Sequence, residues 1–102
     1  MDVKRFTAAA PEISELIKSL ASPVRLRILC ALTRQEVSVG ALAEALGLSM
    51  PTVSQHLAFL RKDRFVSGRR ANQTIFYALT DTRIGKIIPG LAEEFCKTKP
   101  NL

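Results

Sequence analysis

Two thiols, one imidazole and a run of short hydrogen-bonding side chains are what this sequence offers to chemistry. Cys30 and Cys96 are its cysteines and His56 its single histidine, and Thr52, Ser54 and Gln55 stand beside that histidine in the stretch SMPTVSQHLAFLRK, 49–62. Hydroxyls and an amide can hydrogen-bond to base edges, Gln bidentately to adenine. Thiols can oxidise, bind a soft metal, or sit inert as small hydrophobes, the last being the commonest fate of two cysteines on apolar helices. A catalytic centre is not among the options. There is no glycine-rich phosphate loop, no nucleophile with a base and an orienting third group, and no cluster of His, Cys and carboxylates at ligand spacing. The chain reads as a non-enzyme with no cofactor and no metal site.

The polar run is positioned by helical periodicity. Val53, Leu57 and Leu60 recur at i, i+4 and i+7 and share an inward face, while Pro51, Thr52, Ser54, Gln55 and Ala58 occupy the other, which is small, polar and uncharged. That face suits a groove better than bulk water. Ser49 is placed as N-cap, and Pro51 sits in the first turn, where its missing N–H costs least. Just upstream, Ser38 can cap a helix carrying Val39, Leu42, Ala43 and Leu46 inward, with Gly47 placed to end it in the left-handed conformation. Two short helices meeting at a tight turn with Gly are the helix-turn-helix signature, in which the second helix enters the major groove. The bland alternative is an ordinary pair of packed helices.

The residues C-terminal to the second helix favour the nucleic-acid reading. Between Arg61 and Arg70 stand Arg61, Lys62, Arg64, Arg69 and Arg70 against Asp63 alone, in a chain of formal net charge +6. Positive charge clustered beside a groove helix is what phosphate contact requires. The periodicity then changes from helical to alternating, with β-rich runs at 65–70 and 74–79 flanking the loop Ala71-Asn72-Gln73, whose Asn72 tolerates positive φ. A two-stranded hairpin is not stable alone, so it must lean on the helices and project a basic tip past them. The expected fold is mainly α with a small β-hairpin: a winged helix-turn-helix of four helices, two strands and a fifth helix.

The remaining helices frame that unit. Residues 1–10 are expected to be loosely held, and Pro11 to open a helix with the stripe Ile13, Leu16, Ile17 and Leu20. Ser22-Pro23 restarts the chain in a second helix, Pro23 to Thr33, with Arg25, Arg27 and Arg34 turned to water or phosphate. Residues 35–37 form a link. Thr80-Asp81 caps a last helix from Thr82 to about Lys97, which Pro89-Gly90 is expected to kink or to split. At 102 residues the chain is a single domain, 1–102, whose modest core makes dimerisation a natural supplement. No apolar run approaches the ~20 residues of a membrane span and no signal-peptide core is visible, which points to the cytoplasm and to reduced thiols.

The segments 22–29 (SPVRLRIL), 42–49 (LAEALGLS) running into 52–57 (TVSQHL), and 75–79 (IFYAL) together resemble the ArsR/SmtB-type winged-helix repressors over nearly the whole chain. That resemblance implies a homodimer paired through the first and last helices, bound to a two-fold double-stranded DNA operator and released by an inducer. It implies that Thr52, Ser54, Gln55 and His56 read or approach bases, with Arg69, Arg70 and Gln73 of the wing on phosphates or the minor groove. The family's inducers are commonly metals, but where arsenic-type members carry a Cys-x-Cys pair this chain has Val37-Ser38-Val39, and its last helix contains no His. His56 falls about 60° from the Val53 axis, at the edge of the packed face, and reads as a packing or phosphate-contacting residue.

The placement of Cys30 and Cys96 is similar to that in the dithiol branch of the family, the SqrR-, BigR- and HlyU-like sensors of persulfides and related oxidants. It implies a redox pair whose bridging by a small reactive sulfur species or another oxidant releases DNA. Arg27 and Arg34, at i−3 and i+4 of Cys30, are cationic neighbours that favour attack by Cys30 first, whereas Cys96 has Glu93 at i−3 and lies at the negative end of its helix. Other readings remain: a constitutive or metal-responsive repressor, or a protein-interaction module with structural cysteines. Salt dependence of duplex binding separates the last from the rest.

Overall fold

The computed structural model describes residues 1–97, in the order α1 (Val3–Leu20), α2 (Pro23–Leu32), β1 (Val37–Ser38), α3 (Val39–Leu46), α4 (Met50–Lys62), β2 (Val66–Ala71), β3 (Thr74–Leu79) and α5 (Ile84–Cys96). The α3–α4 pair is set by its caps. Ser38 Oγ accepts from the Ala41 N–H at 3.1 Å, and Ser49 Oγ accepts from the Thr52 N–H at 3.2 Å. Between them Gly47 sits at φ 67°. The Gly47 N–H donates to the Glu44 carbonyl at 3.2 Å and the Leu48 N–H to the Ala43 carbonyl at 3.0 Å, so the last carbonyls of α3 are satisfied and the chain turns sharply into α4.

Leu42 and Ala43 of α3 and Val53, Leu57 and Leu60 of α4 are buried against Ile28, Leu29 and Leu32 of α2. Each such leucine contributes roughly 1.5–3 kcal/mol of burial, so α2 is the central helix on which the DNA-reading pair rests. Two of its arginines are tied to neighbouring elements, where the sequence suggests they are left to water or phosphate. Arg25 Nε donates to the Ser19 carbonyl at 2.8 Å and its guanidinium lies 4.3 Å from the Phe59 ring centroid, while Arg27 Nη2 donates to the Leu46 carbonyl at 3.1 Å.

The sheet has three strands in the order β1-β3-β2, all antiparallel. The two-stranded hairpin is as the alternation predicts, with Val66 opposite Leu79, Gly68 opposite Tyr77 and Arg70 opposite Ile75, and with Asn72 at φ 60° in its turn. The additional strand is Val37–Ser38, paired with Tyr77 and Phe76, where the sequence reads Val37 as the end of a link and Ser38 as a helix cap. Two residues are too few to show a period. Gly68 lets the Tyr77 ring lie close over the strand, because a Cβ there would stand 3.1 Å from Tyr77 Cε1 and 3.3 Å from Ile75 Cγ2, closer than ordinary contact. Arg64 adopts φ 64° where α4 ends, with the Phe65 N–H on the Leu60 carbonyl at 2.9 Å and the Arg64 N–H on the Arg61 carbonyl at 3.0 Å.

The outer helices depart from the sequence-based expectation in three places. First, α1 starts at Val3, not Pro11. The Asp2 carboxylate accepts from the Arg5 N–H at 3.1 Å, and Ala8-Ala9-Ala10 are strong helix formers that carry the helix through Pro11 at the loss of one hydrogen bond. Second, α5 begins at Ile84, two residues later than expected. Asp81 Oδ1 accepts from the Arg83 N–H at 2.9 Å, which closes a turn at residues 82–83, and the N-cap of α5 is Arg83 with no side-chain cap, where the sequence places the cap at Thr80-Asp81. Third, α5 is continuous through Pro89-Gly90. Gly85 and Pro89 are both exposed, so the carbonyl that loses its partner can take water instead. The first half of α5 packs through Ile84 and Ile88, and Arg83 Nη1 ties its head to Glu12 of α1 at 3.0 Å. No helix among the described residues is long and apolar enough to cross a membrane.

Candidate DNA-reading face and dithiol site

With Val53, Leu57 and Leu60 fully buried, α4 turns Pro51, Ser54, Gln55 and Ala58 outward, all exposed. Thr52 and His56, one helical turn apart, are half-buried along one edge of that strip. The Thr52 hydroxyl is held by the cap, since Ser49 Oγ donates to Thr52 Oγ1 at 2.8 Å, which leaves the threonine proton available outward. Gln55 is thus central on the free face, with its amide unconstrained by the packed one. Arg61 and Lys62 are exposed in the last turn of α4, where cations offset the negative end of the helix.

The wing separates its two arginines. Successive strand residues face opposite sides of a sheet, so Arg69 and Arg70 cannot point the same way. Arg70 pairs with Ile75 on the face that carries Tyr77 and Val66 into the core, beyond the buried part, and is exposed together with Asn72 and Gln73 at the tip. Arg69 lies on the other face, opposite Phe76, with its guanidinium 4.9 Å from that ring centroid. Its Nε donates to both oxygens of Glu36, at 3.0 and 3.1 Å, and its Nη2 donates to Glu36 Oε1. These bonds hold the Glu36 carboxyl below its ordinary range and raise the guanidinium further. Glu36 escapes sequence reasoning because its partner is 33 residues away. The signal that could have found it is parity, once β1 is known to flank β3.

Cys30 and Cys96 are both free and exposed. Cys30 faces α5 from α2, where it lines two adjoining grooves. One, of about 440 Å³, is walled by Leu26, Ile88, Leu91, Ala92 and Phe95. The other, of about 570 Å³, adds Ala31, Thr33, Arg34 and Pro89 to Ile88 and Ala92. Of the two cations placed near Cys30 by helical spacing, Arg34 shares a groove with it and Arg27 is committed to the Leu46 carbonyl. Cys96 lies one helical turn after Ala92 on the same face of α5. Among the described residues no three His, Cys, Asp or Glu side chains group to hold a metal ion.

A capped, uncharged helix face carried beside a basic-tipped ribbon on a small helical body defines a winged helix-turn-helix DNA-binding protein. Residues 22–67 match the family model described as "Bacterial regulatory protein, arsR family". The biofilm growth-associated repressor of Xylella fastidiosa is 40% identical over 87 residues, 85% of this chain and 76% of that protein. The transcriptional activator HlyU of Vibrio cholerae is 44% identical over 82 residues, 80% of this chain and 76% of that protein. The crystal structure of the transcriptional repressor BigR from Xylella fastidiosa superposes with a TM-score of 0.89 at 38% identity, covering 94% of this chain and 98% of that one. The chain belongs to the ArsR family, on the branch that holds BigR and HlyU, and is a DNA-binding transcriptional regulator, not an enzyme.

Proposed function

We propose that the protein is a homodimeric repressor that leaves its operator when Cys30 and Cys96 are bridged by a reactive sulfur species. The observation that carries this reading is the position of Cys30: it is exposed in the cleft between α2 and α5, opposite the helical face that Cys96 continues. An organic persulfide, RSSH, is the oxidant. The Cys30 thiolate attacks its terminal sulfur, forming Cys30–S–SH and releasing RSH. Cys96 then attacks the Cys30 sulfur and expels H₂S, so that two thiols are oxidised to one disulfide while RSSH is reduced to RSH and H₂S. Cys96 lies beyond Ala92 by one turn, about 5–6 Å along the helix. A plain disulfide needs Cα atoms within ~4.4–6.8 Å, so the offset favours a longer bridge. That bridge requires a second RSSH, to place one more sulfur between the cysteines, with a second RSH released.

Closing the bridge fastens α5 to α2, and α2 carries the reading unit. Its Ile28, Leu29 and Leu32 underlie α3 and α4, and Arg27, one turn before Cys30, grips the last carbonyl of α3. Homodimerisation is supported by the exposed apolar residues Val3, Phe6 and Ile17 of α1 and Leu91 and Phe95 of α5. A tie across α2 and α5 therefore links the dimerisation helices to the spacing of the two α4 helices. Thr52, Ser54, Gln55 and His56 approach bases, and Arg70 and Gln73 approach the backbone or minor groove.

The test uses a duplex selected from a random pool by the reduced protein. Treatment with an organic persulfide should release wild type, while Cys30→Ser and Cys96→Ser should bind equally well and stay bound. Full release of both single variants would overturn the reading.

A further inference from the structure

The Glu36–Arg69 pair is more than a surface ion pair, because of where it lies in the sheet. Ser38, Phe76 and Arg69 form one row across β1, β3 and β2, and Glu36 is two residues from Ser38 and so on the same face. The Arg69 side chain crosses the middle strand over the Phe76 ring and meets Glu36 with three hydrogen bonds. This consumes the edge of the guanidinium that would grip a phosphate and cancels its charge, on the face of the wing opposite to Arg70.

We propose that Glu36 is a positioning residue that withholds Arg69 from DNA phosphates, so that the wing offers Arg70 alone and its root is clamped to the segment between α2 and β1. The inference rests on the reading that α4 and the wing face DNA. A sequence-independent contact is thereby subtracted from every protomer. Non-specific binding is kept low while the base contacts of α4 are untouched, which raises the ratio of specific to non-specific affinity.

The test is the salt dependence of binding to a random-sequence duplex, read by fluorescence anisotropy across a KCl series with the full-length chain. Glu36→Ala frees Arg69 and should tighten binding at low salt, steepening the slope of log K against log [KCl] by about 0.9 per protomer. Glu36→Ala/Arg69→Ala should return to the wild-type slope. Arg70→Ala should lower it by about 0.9 per protomer. If Glu36→Ala left the slope unchanged and the double variant lowered it as Arg70→Ala does, Arg69 would be a phosphate contact in the native protein and the inference would be overturned, with the DNA-face reading intact. A slope unmoved by Arg70→Ala would overturn both.

Discussion

Cys30 on α2 and Ala92 on α5 line both grooves between those helices, so the cleft that exposes one thiol is walled by the helical face that bears the other. A residue can therefore be placed in the cleft without touching the DNA-reading unit. Ala92→Leu should fill the space beside Cys30 and slow its reaction with an organic persulfide, leaving duplex affinity within about threefold, or ~0.7 kcal/mol. Rates of persulfide formation followed by mass spectrometry decide this, and an unchanged rate would show that reagents reach Cys30 by another path.

Specificity and affinity should separate between α4 and the wing. Gln55 stands exposed in the middle of the free face of α4, and its amide can pair with a base edge, whereas Arg70 can only neutralise a phosphate or probe groove shape. Gln55→Ala should lose about 1–3 kcal/mol on the selected duplex and little on a random one, while Arg70→Ala weakens both. Equal losses on both duplexes from Gln55→Ala would displace it from the base-reading role.

Two residues with nearly the same backbone angle should respond oppositely to substitution. Gly47 at φ 67° ends α3 and Arg64 at φ 64° ends α4, each with the same pair of terminal hydrogen bonds. Gly47→Ala should destabilise by about 1–2 kcal/mol, and Arg64→Gly should stabilise by up to about 1 kcal/mol. Urea denaturation measures both, and a destabilising Arg64→Gly would mean that the arginine side chain contributes more than its backbone conformation costs.

These two helix ends also differ in how legible they are in the sequence. Ser38, Gly47, Ser49 and the 53, 57, 60 spacing announce α3 and α4 because capping and periodicity are local, and Asn72 announces its turn for the same reason. Arg64 announces nothing, since arginine is not a turn former and tertiary packing of Phe65 imposes the angle. Pro11 is misleading because its usual place at a helix start hides the stronger cap at Asp2. The dithiol site is legible as two cysteines that the family resemblance pairs, but not as a geometry. That Cys30 faces α5, that Arg27 turns away to Leu46, and that Arg69 is taken by Glu36 all depend on contacts between elements distant in the chain.

Acid should act through the junction of α1, β3 and α5. Arg83 bonds to Asp81 at 2.7 Å and to Glu12 at 3.0 Å, and its hydrogen bonds hold the Asp81 carboxyl below its ordinary range. The folded value lies below the unfolded one. The stabilisation is therefore complete above the ordinary carboxylate range, about pH 4, and is lost as pH falls through the folded value. Thermal melts of wild type and Asp81→Asn should differ at pH 7, and the difference should shrink as pH falls through the folded value of Asp81. A constant difference at every pH would show that the Asp81 carboxylate does not carry the effect.

Whether the two thiols become bridged, and whether that bridge releases DNA, is read in one experiment: intact-mass spectrometry of the reduced protein after exposure to an organic persulfide, with thiol alkylation under denaturing conditions. Wild type should appear as a monomer-mass species two hydrogens lighter than the dithiol, or heavier than that by one sulfur, and should take up no alkylating agent. Cys96→Ser should stop at a persulfide on Cys30, and the bridged wild type should no longer retain the selected duplex. A treated wild type in which both cysteines are still alkylated, or in which they are bridged while the duplex stays fully bound, would contradict the proposal.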